Sequence, residues 1–251
     1  MLVSLTPTYY RQILKEAEIV TLEHAVFRKE ESFIHSNLKN FLPFWESEIL
    51  KDHPHKHAIL GWLSGVKIEE FLNSFTSTTL QGMKLNSYYP QQQHFENYVP
   101  AQFEQFMDEQ VQEWVNLGVF QKWEDVKELS DPSAPIVVSP LGVEPNKPRA
   151  IWDGRYVNEF CRDICFHMDN ASKVAEIAWD KAYFFKLDHK NGYLHIPIHK
   201  SSWKFFGVRW KGVYYVVTVL PFGWKSSPLI YHSVTEAVCM YIRSLGISCV
   251  G

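Results

Sequence analysis

Apolar residues recur at steps of three and four along parts of the chain, which is the pattern of an amphipathic helix. The pattern is clearest after Pro100, where a helix over about 101–117 is predicted to end before Gly118, a residue suited to a left-handed C-terminal cap. A second clear helix begins at Ser226-Ser227-Pro228, which combines an N-cap with a first-turn proline, and ends before Gly246. Both segments are expected to be helices with one buried face.

The first hundred residues carry weaker signals. Tyr10–Lys29 has helical spacing, and His57–Leu72 has it as well, although two glycines weaken that second helix. Ser74–Pro100 is rich in Ser, Thr, Gln, Asn and Tyr and has no period, so an exposed polar linker is predicted there. We therefore expect a mainly helical N-terminal region and linker over residues 1–98, followed by a second part over residues 99–251.

Beyond residue 131 the pattern changes to short apolar runs of the kind found in β-strands. Ile136–Val138 leads into a turn at Glu144–Pro148, and Arg149–Trp152 can return as the partner strand of a hairpin with a basic tip. Phe205–Trp210 and Val213–Leu220 flank a Lys-Gly turn as a second hairpin. Local hairpins that alternate with helices indicate an α+β fold rather than a doubly wound parallel sheet.

Composition excludes several classes of protein. The chain has 251 residues, of which 46% are hydrophobic and 21% charged, so it is neither a disordered tail nor a coiled coil. No apolar run reaches the roughly 18 residues of a membrane helix. The N-terminus lacks the pattern of a secretory signal, and four cysteines are too few for a disulfide scaffold. We expect a globular protein of the cytoplasm or nucleus that has no membrane partner.

The charge is distributed unevenly. A net charge of −3 argues against nucleic acid as a partner, because Lys and Arg supply most of the binding to phosphates. Residues 1–130, however, carry a net charge of −7, while residues 131–251 carry +4. Only the second part suits a polyanion, although such a split also arises by chance in chains of two parts.

A basic cluster occupies the first predicted hairpin and the residues after it. Lys147 and Arg149 would lie at its tip, where Arg offers a bidentate fork and Lys a compact charge to a polyphosphate. Alternation along a strand would place Arg149, Ile151, Asp153 and Arg155 on one face. From spacing alone, a solvated charged hairpin is the simpler interpretation.

Two further clusters are candidates for chemistry. Asp188 follows a short apolar run, Tyr183–Leu187, at a position where a carboxylate can hold Mg²⁺ beside a phosphate. A turn residue or helix cap is the ordinary explanation for an Asp in that place. In Leu220–Trp224 a strand runs into a turn with Pro and Gly, whose exposed backbone can approach a flat ligand closely. Turn chemistry alone explains this cluster equally well.

In this order and at these separations, the three clusters resemble the reverse transcriptase family. The resemblance is greatest to the polymerases of retrotransposons, with the DIRS type as the nearest candidate, and it covers about Ser139–Gly251. In that family a fingers hairpin of the form basic-x-Arg-x-x-x-Asp-x-Arg-x-x-Asn contacts the incoming triphosphate and the template. This chain matches the form at Lys147, Arg149, Asp153, Arg155 and Asn158.

The resemblance also assigns roles to the other two clusters. Asp188 would bind the catalytic metal, Mg²⁺ or alternatively Mn²⁺, and Tyr193 would be the aromatic gate against a ribose 2′-hydroxyl. Pro221, Phe222 and Gly223 would line the nucleotide and template site. The implied architecture is a fragment of the fingers and palm of a right-hand polymerase. The implied partners are an RNA template, a DNA primer and a dNTP, and the implied reaction is two-metal nucleotidyl transfer to the primer 3′-hydroxyl.

The family also requires a strand that carries Tyr-x-Asp-Asp. The sequence Ile247–Gly251 resembles the start of that strand, but the carboxylate pair does not follow. Two metals about 3.5–4 Å apart must bridge the attacking and leaving oxygens, and a single aspartate cannot hold both. The chain as given is therefore expected to be truncated before this motif and catalytically deficient, unless a second subunit supplies the missing carboxylates.

Two functions of other classes stay open. The chain can be a non-catalytic nucleic-acid-binding remnant that uses its basic half, or a degenerate fragment whose helical N-terminal region binds a protein partner. Two histidine and cysteine groups are weaker candidates for metal binding. His53, His55 and His57 are more simply a solvated turn, and Cys161 and Cys165 are more simply two partly buried thiols.

Overall fold

The computed structural model describes residues 2–5, 37–80, 82–168, 173, 183–186, 189 and 191–250. This part of the chain is a mixed fold of helices and strands. The helices are α1 (Leu42–Phe44), α2 (Lys56–Ser64), α3 (Glu104–Asn116), α4 (Trp123–Val126), α5 (Arg155–Glu159) and α6 (Ser227–Ser244). Short 3₁₀ turns lie at Asn37–Phe41, Ile68–Glu70, Ala101–Phe103, Gly192–His195 and Lys200–Phe205, and Trp45–Ile49 is a π-helical turn.

In the described part of the chain, the strands form two sheets and two separate hairpins. They are β1 (Leu2–Leu5), β2 (Ser74–Thr79), β3 (Gly82–Ser87), β4 (Gln93–His94), β5 (Phe120–Lys122), β6 (Val137–Val138), β7 (Leu141–Glu144), β8 (Arg149–Trp152), β9 (Tyr183–Lys186), β10 (Gly207–Trp210), β11 (Val213–Val217) and β12 (Ser248–Val250). The larger sheet has the order β4-β6-β10-β11-β5, and the smaller one has the order β12-β1-β9. The pairs β2–β3 and β7–β8 stand alone as antiparallel hairpins.

The hairpin β10–β11 confirms the second predicted hairpin. Its tip residues Lys211 and Gly212 have φ values of +46° and +79°, the left-handed pair that a two-residue turn needs to match the twist of its strands. Glycine adopts this conformation without cost, which explains why the Lys-Gly signal was informative.

The first predicted hairpin also forms, but with a different first strand. Val137–Val138 joins the larger sheet as β6, parallel to β10, and Leu141–Glu144 is the strand that pairs with Arg149–Trp152. The reason is a competing partner: the amide of Ser139 donates to the carbonyl of Gly207 at 2.8 Å, which draws the earlier residues into the sheet. The basic tip lies where it was expected.

The two clear helices are confirmed. A 3₁₀ turn leads into α3, and Gly118 follows the helix with a φ of +72°. Helix α6 has Pro228 in its first turn, and Gly246 follows it with a φ of +82°. The side chain of Ser226 makes no capping hydrogen bond, contrary to the expected N-cap. Instead, the hydroxyl of Ser227 donates to the carbonyl of Pro221 at 2.8 Å and ties the helix start to the preceding turn.

Two predictions for the first hundred residues were wrong in part. The helix expected over His57–Leu72 stops at Ser64, because Gly65 has a φ of +147° and any β-carbon there would lie 3.2 Å from the backbone of His199. The expected linker at Ser74–Pro100 contains the hairpin β2–β3 and the strand β4, since cross-strand pairing satisfies the backbone of these polar residues. The helix predicted over Tyr10–Lys29 lies outside the described residues.

One hydrophobic core joins elements from both sides of residue 98. Ile59, Leu63 and Ile68 are fully buried in the same cluster as Phe206 and Trp224. The division of the chain at residue 98 stays a prediction. In the described part of the chain, no helix has both the length and the apolarity that a membrane crossing requires.

Candidate functional site

A cleft of about 620 Å³ lies between helix α3, the hairpin β7–β8 and the turn that precedes α6. Helix α3 contributes one wall with a mixed apolar and polar surface, and the hairpin and the turn contribute the others. The side chains that define these walls are Phe106, Gln110, Glu113 and Trp114 of α3, Glu144, Arg149, Ile151 and Trp152 of the hairpin, and Pro221, Phe222 and Gly223 of the turn. Residues of the basic hairpin and of the turn therefore meet at one cavity, which Asn191, three residues after Asp188, also lines.

The turn Pro221–Trp224 presents an aromatic ring on a rigid support. Pro221 and Trp224 are buried, and the Trp224 ring packs edge-on against Phe71 and Phe206 with centroid distances of 5.3 and 5.2 Å. Between these anchors, Phe222 is 62% exposed. The buried residues on both sides hold this exposed ring in a fixed position at the cleft, of which Phe222 is a lining residue.

Tyr193 supports Phe222 from the other side. The two rings are stacked, with centroids 4.5 Å apart and planes inclined by 29°. Tyr193 also packs edge-on against Tyr231 at 5.1 Å, and the Tyr231 hydroxyl is hydrogen-bonded to Nδ1 of His189 at 2.7 Å. Burial raises the pKa of the Tyr193 hydroxyl, so this group stays protonated at neutral pH. Phe222 lines the cleft, whereas Tyr193 is not one of the lining residues and contacts the cleft wall only through its stack with Phe222.

Arg149 is the basic residue of the predicted set that lines the cleft. It lies directly across the hairpin from Glu144, whose carboxylate accepts a hydrogen bond from the amide of Asn146 at 3.2 Å. No ion pair to Arg149 or Lys147 occurs among the described residues. Lys147 is exposed in the hairpin turn and is not one of the cleft residues.

Asp153 and Arg155 lie apart from Arg149. They line a different cavity of about 450 Å³ together with Tyr98, and the expectation that all of these residues share one strand face was wrong. The physical reason is that β8 ends at Trp152 and Arg155 begins helix α5, so strand alternation does not extend to them.

The carboxylate of Asp153 accepts hydrogen bonds from two neighbouring side chains. It accepts from Nε of Arg155 at 2.9 Å and from Nη2 at 2.6 Å, and Tyr98 donates to it at 3.4 Å. The hydrogen bonds from Arg155 lower the pKa of Asp153 below its ordinary value of 3.8. Asp153 is 9% exposed, whereas the side chain of Arg155 is 84% exposed. Asp153 therefore holds Arg155, which presents its guanidinium outward.

Asp188, the predicted metal ligand, lies outside the described residues. Among those that are described, no group of three or more His, Cys, Asp or Glu side chains could hold a metal ion. His53 and His55 form a turn, in which Nδ1 of His53 accepts from the backbone amide of His55 at 3.1 Å, whereas His57 lies in helix α2 and not in the turn. Cys161 is buried and Cys165 is exposed, so the expectation of two partly buried thiols was wrong for both.

The wall supplied by α3 was missed by reasoning from sequence. Phe106 and Trp114 belong to the apolar face of the helix predicted over about 101–117, and helical spacing cannot distinguish a core face from a cleft wall. Trp114 does pack on Phe120 at 4.8 Å, yet it also borders the cavity. Gln110 and Glu113, joined by a 2.8 Å hydrogen bond, would have been the informative signal, because they are polar residues beside that face.

Comparison with known proteins gives partial similarities. No family model matches the chain. A curated relative, an enzymatic polyprotein of Cassava vein mosaic virus, is 26% identical over 92 residues, which are 37% of this chain and 14% of the relative.

Solved structures of foamy virus enzymes are similar at a low level. The native protease–reverse transcriptase of prototype foamy virus has a TM-score of 0.47 and 18% identity, over 62% of this chain and 20% of that chain. Foamy viral protease–reverse transcriptase in complex with an RNA/DNA hybrid has a TM-score of 0.48 and 15% identity, over 86% of this chain and 28% of that chain. This chain thus spans 14% to 28% of the length of these three proteins. The function proposed for it rests on the residues of the cleft.

Proposed function

We propose that this chain is part of a reverse transcriptase-like polymerase and that its cleft binds a template strand and the incoming deoxynucleotide. One observation carries the proposal: Arg149 from the hairpin and Phe222 with Gly223 from the distant turn meet at the same cavity. The three sequence clusters and the viral relative support the assignment. In this proposal α3 and β7–β8 belong to the fingers, and β9 and α6 belong to the palm.

The residues of the cleft suit the parts of a nucleotide. The guanidinium of Arg149 can bind phosphate oxygens through two parallel hydrogen bonds. Phe222 offers a π-face on which a base can stack without regard to sequence. Tyr193, held between Phe222 and Tyr231, would present a fixed edge to the sugar. Lys147 and Arg155, which are exposed on the hairpin and beyond it, would attract the template backbone by charge.

The cleft is not uniformly basic. Glu113 and Glu144 border it together with Arg149. A general positive potential therefore does not account for binding, and the phosphates must be held locally by the guanidinium of Arg149. This arrangement favours a ligand with one anionic end and one flat aromatic end, as in a nucleotide.

The metal remains an expectation from the resemblance. Asp188 would hold Mg²⁺, or Mn²⁺, which would neutralise the phosphates of the nucleotide. Because Asp188 lies outside the described residues, no step of a reaction is assigned to the metal. The proposal for this chain is accordingly a binding function.

Fluorescence anisotropy tests the proposal directly. A labelled RNA/DNA template–primer with a dideoxy-terminated primer is titrated with the chain in Mg²⁺, with either the complementary or a mismatched dNTP. The complementary dNTP should tighten binding, and Arg149→Ala should weaken that dNTP effect by about tenfold or more, since a hydrogen bond to a charged group contributes about 1.5–3 kcal/mol. Lys84→Ala, on the exposed hairpin β2–β3, removes the same charge away from the cleft and should change nothing.

A second candidate function has its own signature. The +4 charge of residues 131–251 would let a non-catalytic remnant track a nucleic-acid backbone. In that case affinity would fall steeply with salt, and the complementary and mismatched dNTP would have equal effects. Absence of any nucleic-acid binding would contradict both candidates.

A further inference from the structure

The turn that carries Phe222 is pressed against the end of β8. Gly223 has a φ of +106°, a backbone conformation that residues other than glycine rarely adopt. A β-carbon at this position would lie 2.6 Å from the carbonyl oxygen of Trp152. Backbone therefore touches backbone at this point. The position of the turn relative to the hairpin must be fixed closely, because a shift of even one ångström would produce either a clash or a gap.

The side chain of Asn158 makes the polar link across this contact. Its Nδ2 donates to the carbonyl of Gly223 at 2.8 Å, and its Oδ1 accepts from the backbone amide of Lys225 at 2.8 Å. The two bonds bracket Trp224, the buried anchor of the turn. Asn158 lies on α5, which follows β8 directly, so its amide joins the hairpin side of the cleft to the turn side.

These bonds argue against the simplest role for Asn158, a direct contact with substrate. Each polar atom of its amide already bonds the turn, so the protein backbone sets the orientation of the amide. Lys225 is held a second time, because its ammonium group binds the carbonyl of Cys161 at 2.7 Å and the carboxylate of Asp163 at 2.8 Å. Loss of Asn158 would therefore loosen the Phe222 side of the turn without detaching Lys225.

We propose that Asn158 is a positioning residue that acts on the bound nucleotide only through Phe222. Its amide fixes the position of the Phe222–Gly223 turn relative to the end of β8. This position keeps the Phe222 ring stacked on Tyr193 at the edge of the cleft. The inference rests on the proposed function of the cleft. It assigns to Asn158 a contact with the protein backbone in place of a contact with substrate.

A double-mutant cycle tests this route of action. The effect of the complementary dNTP on template–primer affinity is measured for the wild-type chain, Asn158→Ala, Phe222→Ala and the double variant, in the anisotropy assay described above. We expect Asn158→Ala to weaken the dNTP effect about five- to tenfold, a size typical of coupled neighbours, and to have no further effect once Phe222 is removed. Additive losses in the double variant would overturn the inference.

Two further variants keep the result interpretable if Asn158→Ala folds poorly. Asn158→Asp has nearly the same shape and keeps the acceptor for the Lys225 amide, but it replaces the donor to Gly223 by an oxygen. It should weaken the dNTP effect about as much as Asn158→Ala does, while hydrogen exchange at the Lys225 amide stays slow. Asn97 is the matched control, since its amide also bridges two backbone groups, the carbonyl of Arg209 at 2.7 Å and the amide of Leu141 at 2.8 Å. If Asn97→Ala weakens the dNTP effect, it should weaken it by the same factor when Phe222 is also replaced by alanine.

The outcomes separate this inference from the proposed function. If the wild-type chain shows no preference for the complementary dNTP, the proposed function fails, and the hydrogen-exchange measurement still tests the link. In that measurement Asn158→Ala should speed exchange of the Lys225 amide by about tenfold, as expected for loss of a hydrogen bond. Unchanged exchange would contradict the role of Asn158 independently of any ligand.

Discussion

Tyr193 and Phe222 form a stacked pair, with ring centroids 4.5 Å apart, at the edge of the cleft. The pair joins the 3₁₀ turn Gly192–His195 to the turn before α6. The Phe222 ring is 62% exposed, and its face opposite Tyr193 is free to contact a ligand. A flat ligand that binds there would extend an existing stack, so it would meet a surface that is already ordered.

Phe222→Ala should therefore weaken binding more than it weakens folding. Loss of a base–aromatic contact costs about 1–3 kcal/mol, which corresponds to a loss of about 5- to 150-fold in nucleotide affinity. The temperature of unfolding should change little, because the ring is largely exposed. Phe222→Tyr is the matched variant and should keep most of the affinity. Equal affinities of Phe222→Ala and the wild-type chain would contradict a stacking role.

Glu113→Gln should strengthen binding. Its carboxylate borders the cleft opposite the basic hairpin and repels phosphates, and the amide removes that charge with little change in shape. We expect an increase in affinity for the template–primer and dNTP of about two- to fivefold at low salt, with a smaller increase as salt screens the charge. Glu109→Gln, exposed on the same helix, serves as the control. Weaker binding by Glu113→Gln would show that the carboxylate contacts the ligand favourably.

Asp153→Asn should lower stability in a pH-dependent way. Because the pKa of Asp153 is lowered in the folded chain, its contribution is fully present above the ordinary pKa of 3.8 and is lost as the pH falls through the folded value. Urea unfolding at pH 7 should show a loss of about 1 kcal/mol relative to the wild-type chain, and the difference should shrink at pH 3. Asp163→Asn, whose side chain is 95% exposed, should show neither effect. A difference that is independent of pH would contradict the ion pair.

One cysteine should react much faster than the others in the native chain. Cys165 is exposed, whereas Cys161, Cys239 and Cys249 are buried, and burial raises the pKa of the Cys161 thiol. Ellman's reagent should give a single fast thiol in the native chain and all four after denaturation. Cys165→Ser should abolish the fast phase. A fast phase that survives in this variant would mean that one of the buried thiols is reached by solvent.

Local sequence signals predicted the hairpins and the two clear helices. Contacts between residues distant in sequence determined where other elements end. The turn at Lys211-Gly212 was predictable, because its left-handed backbone is a property of those two residues. The early end of α2 was not, since Gly65 is needed there to make room for His199, which is far away in sequence. A single sequence carries no signal for such an approach between separate segments.

The candidate site was likewise predictable only in its local features. The residue types of the cluster at Lys147–Asn158 could be assigned from sequence, but not the surfaces that they face. Asp153 and Arg155 form an ion pair beside a different cavity. The side chain of Asn158 is hydrogen-bonded to the backbone of Gly223 and Lys225. Polar residues in a motif compete for partners within the fold, and that competition depends on tertiary structure.

Photo-crosslinking of the incoming nucleotide is the most direct test of the cleft as the binding site. A photoreactive dTTP analogue is irradiated with the chain, Mg²⁺ and a dideoxy-terminated template–primer, and the labelled peptides are identified by mass spectrometry. We expect adducts in the peptides that contain Arg149, Tyr193 or Phe222, formed only when the template base is adenine and lost in Arg149→Ala. Adducts that form equally with every template base, or that lie on the hairpin β2–β3, would contradict this expectation.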